Sequence, residues 1–379
     1  GSRRRQPVAA GSSWLKPYSG PESLGRAARG PPPADNGLMS GKTVALVLGS
    51  GGARGYAHIG ALQVLQERGH QVVAIAGTSM GALIGGLYAA GKLDEYVEWV
   101  TPLTQRDVLR LLDPSIGGPG AFKLERVLAR MSEILDGAQI EDLPIPYTAV
   151  ATDIGARREV WFTSGPVDVA IRASIAIPGA ITPIMVNGRL LVDGGVLNPV
   201  PVEPVIGSGA DFTLAIELSG DSGRSFTSSP TKETSAQRPP NEWLDRFLKS
   251  AAGVWENDFI ASILARFGRG QGDEPEDHKA IEDVHKHPVR GTFDPPPPGV
   301  GLTDVASMAL DTMGSLITRY RMAAMPPDVL VTVPGDSAKT MDFHRATELI
   351  ALGRKLTEEA LDKAFPEDRA APVEVAALE

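Results

Sequence analysis

The residues best suited to chemistry form a glycine-flanked turn around one serine. Residues 77–81 read GTSMG, between the apolar run VVAIA at 72–76 and the small-residue stretch ALIGGLYAA at 82–90. Small residues two positions before and after Ser79 permit a sharp strand-to-helix turn that exposes the hydroxyl, and the helix N-terminus behind it favours developing negative charge. The pattern predicts a nucleophile elbow, with a serine that only caps a helix as the simpler alternative.

A serine nucleophile needs a base, and the usual base is histidine. No histidine occupies an obvious catalytic turn; the six are His58, His70, His278, His285, His287 and His344. A carboxylate is the alternative, and Asp193 ends the short apolar run LLVD just before Gly194 and Gly195. Open α/β sheets place their sites at strand ends, so Asp193 is the candidate base, with an ordinary Asp-Gly turn as the competing interpretation.

A glycine-rich loop, GSGGARGYAHIG at 49–60, follows the apolar run VALVL at 44–48. A dinucleotide loop is disfavoured because Arg54 fills the third glycine position and no strand-end acid follows about 20 residues later. A P-loop is disfavoured because the near-match NGLMSGKT at 36–43 leads into a strand instead of a helix. We therefore expect no nucleotide cofactor, and the sequence implies no metal.

Short β-branched runs alternate with helical periods from Thr43 onward, which predicts a sheet covered by helices. The predicted strands are 43–48, 72–76, 147–152, 159–162, 190–192, 212–217 and 328–332. The predicted helices are 56–68, 80–91, 93–99, 121–135, 166–174 and 343–363. A further helix at 302–325 has an apolar stripe that predicts a core position: Leu302, Val305, Ala309, Met313, Leu316, Ile317 and Tyr320.

Composition suggests where this domain begins and ends. Residues 1–41 are rich in Gly, Pro, Ser and Arg and carry six basic against two acidic residues, which predicts a disordered basic arm. Such an arm is either solvated or in contact with an anionic membrane, and solvation is the simpler expectation. The α/β domain is expected to span 42–366, followed by a tail at 367–379.

Two polar stretches interrupt the domain and predict flexible insertions at 219–240 and 268–300. The second contains three histidines among acidic residues, which a solvated loop explains better than a metal site. Between them, 241–267 predicts an amphipathic helix that packs on the sheet or rests on lipid as a lid.

Overall composition excludes several classes of protein. The net charge of −9 argues against a nucleic-acid partner, and the absence of cysteine excludes disulfides, thiolate metal sites and a cysteine nucleophile. No run approaches the roughly 18 apolar residues of a membrane span. The chain starts Gly-Ser, so a removed signal peptide stays open. The expected location is cytoplasmic or peripheral to a membrane, and the oligomeric state is not predicted.

Three motifs together resemble the signatures of the patatin-like phospholipase family: GSGGARG at 49–55, GTSMG at 77–81 and DGG at 193–195. The stretch RASIAIPGAITPIMVNGRLLVDGGVLNPVP at 172–201 resembles the bacterial members. The resemblance covers about residues 42–218 and 326–353. It implies a three-layer α/β/α sandwich with a mostly parallel central sheet and a serine and an aspartate at strand ends.

The resemblance also implies a serine lipid acyl hydrolase of phospholipase A, lysophospholipase or esterase type, without a cofactor. Ser79 would attack the acyl carbonyl of a phospholipid or other fatty-acyl ester, with Asp193 as base in a dyad without histidine. Asp193 would need partial desolvation to raise its pKa. Acyl-carrier transacylases, acyl transfer on the same dyad and a catalytically silent lipid-binding module are the alternatives.

The glycine loop would then hold the oxyanion rather than a phosphate. The proposed donors are the backbone N–H groups of Gly51, Gly52, Ala53 and Arg54. The Arg54 guanidinium would brace the loop in preference to meeting a lipid phosphate. The supporting glycines are Gly49, Gly55, Gly77, Gly81, Gly194 and Gly195, and the expected acyl channel draws on 82–91, 177–184 and 243–267.

Overall fold

The structure is a computed structural model that describes residues 15–17, 41–115, 119–220 and 302–366. The chain divides into two compact units, one formed by 1–225 with 311–379 and the other by 226–310. The described part of the second unit is helical and runs from Leu302 to Leu310. The predicted helix at 241–267 and nearly all of both predicted insertions lie outside the described residues.

The strands and helices are numbered in chain order within the described residues. The strands are β1 (Leu15–Pro17), β2 (Thr43–Leu48), β3 (Gln71–Thr78), β4 (Gly120–Phe122), β5 (Tyr147–Asp153), β6 (Arg158–Phe162), β7 (Gly179–Ile181), β8 (Ile184–Val186), β9 (Arg189–Asp193), β10 (Phe212–Gly220) and β11 (Val329–Pro334). The helices are α1 (Ala57–Glu67), α2 (Met80–Ala89), α3 (Leu93–Val100), α4 (Gln105–Leu111), α5 (Glu125–Leu135), α6 (Val167–Ser174), α7 (Leu302–Ala324) and α8 (Ala346–Ala364).

The main sheet has the strand order β1-β6-β5-β3-β2-β10-β11, and β9 pairs with both β5 and β8. β5, β3, β2, β10 and β11 run parallel, whereas β6, β8 and β9 join through antiparallel pairings. β4 and β7 form a separate parallel pair. The carboxyl ends of the five parallel strands therefore share one edge of the sheet, which is where we expected the site.

The central strand β2 is buried on both faces. Val44, Leu46 and Leu48 belong to the larger apolar core, while Ala45 and Val47 belong to a smaller core on the other side. Continuous burial is typical of a parallel strand covered by helices on both faces. The predicted mixed α/β fold with a mostly parallel central sheet and flanking helices is confirmed.

Several element predictions need correction. The helix predicted from residue 121 begins at Glu125, because Gly120–Phe122 form β4 and Leu124 adopts a positive φ of 59° that interrupts the helix. α4 was not predicted, although Thr104 forms a capping box with Asp107 at its start. Within the arm predicted to be disordered, Leu15–Pro17 pair with β6.

α7 overturns the expectation that its apolar stripe lies in the core. Met313 and Tyr320 are 52% and 71% exposed. The helix instead packs through Thr318, which is buried, and through Met322, which lies against the smaller core. Apolar spacing alone predicted the wrong face because polar side chains hold this helix down. None of the described helices is long and apolar enough to cross a membrane.

α1 and α8 are in backbone contact through two glycines. A methyl group on Gly353 would lie closer than 3.0 Å to the backbone of Ala57, and one on Gly60 would lie as close to the backbone of Ile350. The two helices can approach this closely only because neither position has a side chain. This packing fixes α1, which follows directly from the glycine loop.

We therefore expect Gly353→Ala to lower the free energy of unfolding by about 1–3 kcal/mol, the usual cost of overpacking a core. Gly314→Ala in α7 is the matched control, since the nearest atom to an added methyl is 3.8 Å away. The control should raise stability by up to about 1 kcal/mol through helix propensity. Denaturant unfolding monitored by tryptophan fluorescence measures both, and equal stabilities would contradict the helix contact.

Candidate active site

Ser79 stands at the turn between β3 and α2 in a strained conformation. Its φ of 57° and ψ of −122° lie in a region that residues other than glycine rarely adopt, at a cost on the order of 1–3 kcal/mol. Gly77 and Gly81 permit the turn because a methyl group at Gly77 would collide with the backbone of Gly81. The local geometry is that of the predicted nucleophile elbow.

β5 is the strand that brings Ser79 and Asp193 together. One of its edges pairs with β6, so its other two partners must share the opposite edge. On that edge β3 runs parallel to β5 and pairs with it up to Val150. β9 runs antiparallel to β5 and pairs with Ala151 to Asp153. The two strands end beside adjacent residues of β5, and the Ser79 side chain lies close enough to Asp193 to lower the pKa of its carboxyl.

Ser174 closes the gap between the two strand ends. Its hydroxyl accepts a hydrogen bond from the Ser79 N–H at 2.8 Å and donates one to the Val150 carbonyl at 2.6 Å. The Ser79 N–H and the Val150 carbonyl would form backbone hydrogen bonds to neighbouring strands if the pairing between the strands continued. Ser174, the last residue of α6, therefore ties the elbow to β5, and the motif search did not single it out.

Asp193 is buried, with 5% of its surface exposed. Its Oδ1 accepts a hydrogen bond from the Gly195 N–H at 2.7 Å, which fixes the carboxylate. Burial raises the pKa of Asp193 to about 6, and the nearby Ser79 side chain and the Gly195 N–H partly oppose this rise. A carboxylate with a raised pKa is a better proton acceptor than one in water, as its predicted role as base requires.

The glycine loop is fixed by hydrogen bonds along its length. His58 is fully buried, and its Nε2 lies 2.9 Å from the Gly49 carbonyl. Burial lowers the pKa of His58 to about 4, so the ring is neutral and its Nε2–H donates to Gly49. The Ser50 N–H donates to the Pro199 carbonyl at 2.8 Å. His58 thus holds the loop.

Arg54 braces the same loop from inside, as predicted. Its Nε donates to the Gly51 carbonyl at 3.2 Å, and its guanidinium also donates to the Gly335 carbonyl. Because the peptide bond is planar and trans, fixing the Gly51 carbonyl directs the Gly52 N–H to the opposite side. Within the described part of the chain, no acceptor is bonded to the Gly51 or Gly52 N–H.

The expectation for Ala53 needs correction. Its N–H donates to the Thr340 carbonyl at 2.9 Å, so it is directed away from an incoming oxyanion. Thr340 lies in the loop before α8, far along the chain, and no local pattern in the sequence indicates this contact. The N–H groups of Gly51, Gly52 and Arg54 stay the predicted donors.

The predicted motif glycines share one property. At each of them an added methyl group would lie closer than 3.0 Å to an atom of a neighbouring segment: Gly49, Gly51, Gly52, Gly55, Gly77, Gly81, Gly194 and Gly195. At Gly195 the nearest atom is the Ser50 hydroxyl, and at Gly194 it is the Val150 carbonyl. The glycine loop (49–55), the elbow (77–81) and the turn that follows Asp193 (193–195, the aspartate turn) are therefore in van der Waals contact.

An apolar pocket opens beside the serine. It is lined by Ser79, Gly52 and side chains of α2 to α5, the segment 175–181 and the turn around Phe343. Tyr56 and Tyr96 are buried in its wall, and burial raises the pKa of both hydroxyls. The pocket takes Leu83, Ile177 and Ile181 from the predicted acyl channel; 243–267 lies outside the described residues.

A buried polar network supports the aspartate turn from below. Asn198 Nδ2 donates to Glu159 at 3.0 Å and to Glu203 at 3.2 Å, and Arg321 of α7 donates to both carboxylates. The Asn198 carbonyl in turn accepts a hydrogen bond from the Thr78 hydroxyl at 2.9 Å. The network therefore connects α7 to the residue preceding Ser79. Sequence reasoning missed it because these residues are far apart in the chain.

The described histidines do not provide a base at this site. His58 is committed to the glycine loop, and His70 packs edge-on against Phe212. His344 lies in the short turn before α8. The other three histidines lie outside the described residues. Among the described residues, no histidine is hydrogen-bonded to Ser79 or Asp193.

The fold and the site define an α/β protein with a strained serine after one strand and a buried aspartate at the end of another. The family model described as patatin-like phospholipase matches residues 46–206, which include all three motifs. An uncharacterized NTE family protein of Mycobacterium tuberculosis is 43% identical over 338 residues, covering 85% of this chain and 92% of that protein. The chain belongs to the patatin-like phospholipase family.

More distant relatives match about half of the chain. Human patatin-like phospholipase domain-containing protein 6 is 36% identical over 190 residues, covering 48% of this chain and 14% of that protein. The rat protein named patatin-like phospholipase domain-containing protein 7 is 35% identical over 188 residues, covering 48% of this chain and 14% of that protein.

The raised pKa of Asp193 predicts how the free energy of unfolding changes with pH. Its folded pKa of about 6 lies above the ordinary value of 3.8, so the folded state binds this proton more tightly between those pH values. The stability that this proton contributes is present at low pH and is lost as pH rises through about 6. Raising pH from 4 to 7 should therefore stabilise Asp193→Asn relative to wild type by up to about 3 kcal/mol.

Denaturant unfolding of the two proteins across this pH range measures the difference. Asp211→Asn serves as the control because hydrogen bonds from Thr43 lower the pKa of this exposed carboxyl below 3.8. Its contribution to stability changes only at lower pH, so its difference from wild type should stay nearly constant from pH 4 to 7. A difference for Asp193→Asn that stays constant with pH would contradict the raised pKa.

Proposed function

We propose that this protein is a serine lipid acyl hydrolase that cleaves fatty-acyl ester bonds through an acyl-enzyme on Ser79. The observation that carries the proposal is the position of a strained serine next to a buried aspartate, beside an apolar pocket. Membership of the patatin-like phospholipase family supports the same chemistry. Phospholipids are the substrate class that this family membership favours.

In the first half-reaction, the Ser79 Oγ attacks the ester carbonyl carbon while Asp193 accepts the hydroxyl proton. The carbonyl oxygen becomes an oxyanion, which the Gly51 and Gly52 N–H groups would stabilise. Each donor of this kind contributes about 2.7–4 kcal/mol in acyl transfer. When the tetrahedral intermediate collapses, the alcohol leaves with the proton from Asp193 and the acyl group stays on Ser79.

In the second half-reaction, water attacks the acyl-enzyme and Asp193 accepts a proton from it. The oxyanion forms in the same position, and its collapse releases the fatty acid and returns the proton to Ser79. Asp193 therefore serves as base in each attack and as acid in each collapse. Its fixed orientation by Gly195 and its pKa of about 6 suit both directions of transfer.

The pocket supports an acyl chain as the bound group. Its lining beside Ser79 is almost entirely aliphatic and aromatic, including Leu83, Trp99, Val108 and Ile181. A fatty-acyl chain gains free energy by leaving water for such a surface, at about 0.8 kcal/mol for each buried CH₂ group. A charged or sugar-like acyl group would find few hydrogen-bond partners there.

Substitution of the two central residues tests the proposal. Ser79→Ala removes the nucleophile and Asp193→Asn removes the base, so each should lower turnover of a fluorogenic fatty-acyl ester and of a phospholipid by about 10³-fold or more. Release of free fatty acid and lysophospholipid, followed by mass spectrometry, measures the reaction.

Ser208→Ala is the matched control, because Ser208 is exposed in the loop before β10 and should leave turnover unchanged. Retention of wild-type turnover by Ser79→Ala would overturn the mechanism. Lipid binding without any turnover in the wild type would favour a silent lipid-binding module.

The pocket makes a separate prediction about chain length. Val108 lies on the pocket-facing side of α4, so Val108→Trp should fill the pocket and lower kcat/KM for a long-chain ester by about tenfold or more. A short-chain ester should be affected much less. Arg110→Trp on the same helix is the control, since the Arg110 side chain is 77% exposed. Equal loss for both ester lengths would argue against the pocket as the acyl site.

A further inference from the structure

The β8–β9 hairpin projects beyond the edge of the sheet at which Ser79 lies. β9 runs antiparallel to β5 and reaches Asp193 only at its inner end. Leu190 stands three residues further out, about 10 Å along the strand at the usual rise per residue. The turn between β5 and β6 projects from the same edge, because β5 is parallel to β3 and ends at Asp153.

Three exposed apolar side chains form a row across these strand ends. Met185 and Leu190 are cross-strand partners, and the Ile154 N–H donates to the Leu190 carbonyl at 3.1 Å, which continues the same register. Directly opposed residues in antiparallel strands share a face. Ile154 is 46% exposed, Leu190 42% and Met185 65%. We call these three residues the apolar row.

The exposed charge carried by the two turns is positive, although the Asp168 carboxylate lines a pocket together with Met185. Arg157 and Arg158 are exposed at the end of the turn that begins with Ile154, and neither forms a salt bridge among the described residues. The remaining charged residues at the tip are Arg189 and Asp153, which lie 4.0 Å apart, and Asp153 is buried. No exposed carboxylate is present in residues 154–158 or 184–190.

We propose that the apolar row, together with Arg157 and Arg158, docks this protein onto an anionic phospholipid bilayer. The inference rests on the proposed function, since a lipid hydrolase must reach esters that are held in a membrane. Apolar side chains enter the membrane interface, while cationic side chains contact lipid phosphates. Each cation strengthens binding to an anionic membrane by about fivefold. Docking there presents the edge of the sheet that carries Ser79 to the lipid.

The same observations disfavour a second copy of the chain as the occupant. A symmetric contact through the apolar row would bring Arg157 and Arg158 of both copies together, which is repulsive. Three side chains also cover far less than the roughly 800 Å² that each partner contributes to a stable interface. A lipid surface needs neither a complementary shape nor a carboxylate partner.

Vesicle binding by the full chain carrying Ser79→Ala tests the surface without hydrolysis. We expect this protein to co-sediment with vesicles of phosphatidylcholine and phosphatidylglycerol and to bind pure phosphatidylcholine vesicles at least about tenfold more weakly. Met185→Ser with Leu190→Ser should weaken binding to the anionic vesicles by about tenfold or more. Arg157→Gln with Arg158→Gln should remove most of the preference for anionic lipid.

Two control variants test whether vesicle binding depends on where the substituted residue lies and not only on its type. Ile206→Ser changes an apolar residue of similar exposure, 48%, in the loop before β10 at the opposite edge of the sheet. Lys355→Gln changes an exposed cation of α8, which packs on β11. Both controls should bind vesicles as the parent does.

Turnover of a water-soluble short-chain ester, measured with Ser79 restored, shows that each variant is folded and separates the two proposals. Wild-type turnover in the row variants together with weak vesicle binding supports docking. Vesicle binding equal to the parent would overturn docking even if the ester is hydrolysed. A wild type that dimerises, with monomeric row variants in sedimentation, would assign the surface to self-association instead. Absent turnover in a protein that still docks would count against the proposed function alone.

Discussion

The site depends on one constraint, the limited edge that β5 offers to its neighbours. β6 occupies one edge, so β3 and β9 must share the other and end beside adjacent residues. A serine after β3 and an aspartate at the end of β9 are then brought together by backbone pairing. Ser174 completes the arrangement by bonding the two groups that the interrupted ladder leaves without partners. Shortening either strand by one residue would separate the pair.

Two stability costs accompany this arrangement. Ser79 holds an unfavourable backbone conformation, and Asp193 ionises in a buried position that raises its pKa to about 6. Both features lower the stability of the fold but suit a reactive site. The strained turn exposes the Ser79 hydroxyl, and the desolvated Asp193 carboxylate binds a proton more readily. Close packing of α1 against α8 and the Arg321 network hold the surrounding elements in place, so the strain persists in the folded state.

Much of the site was predictable because its motifs are local. Close approach of chain segments requires glycine, and the loop, the elbow and the aspartate turn each carry glycines at fixed positions. The strands were predictable too, since β-branched runs are strong local signals. The exposed face of α7 was not predictable. Its apolar stripe predicted a core position, whereas Arg321 binds two carboxylates that are distant in the chain, Glu159 and Glu203. The donor assigned to Ala53 failed for the same reason, because Thr340 accepts that N–H.

The sequence by itself determined the residue types at the site, the α/β class and the absence of an obvious histidine base. Those features follow from local patterns of glycine, apolar periodicity and composition. Only the tertiary structure decided that Asp193 reaches Ser79, that His58 and Arg54 hold the glycine loop, and that Ile154, Met185 and Leu190 form one row. Each of these depends on strand register and on contacts between residues distant in the chain, which no local pattern encodes.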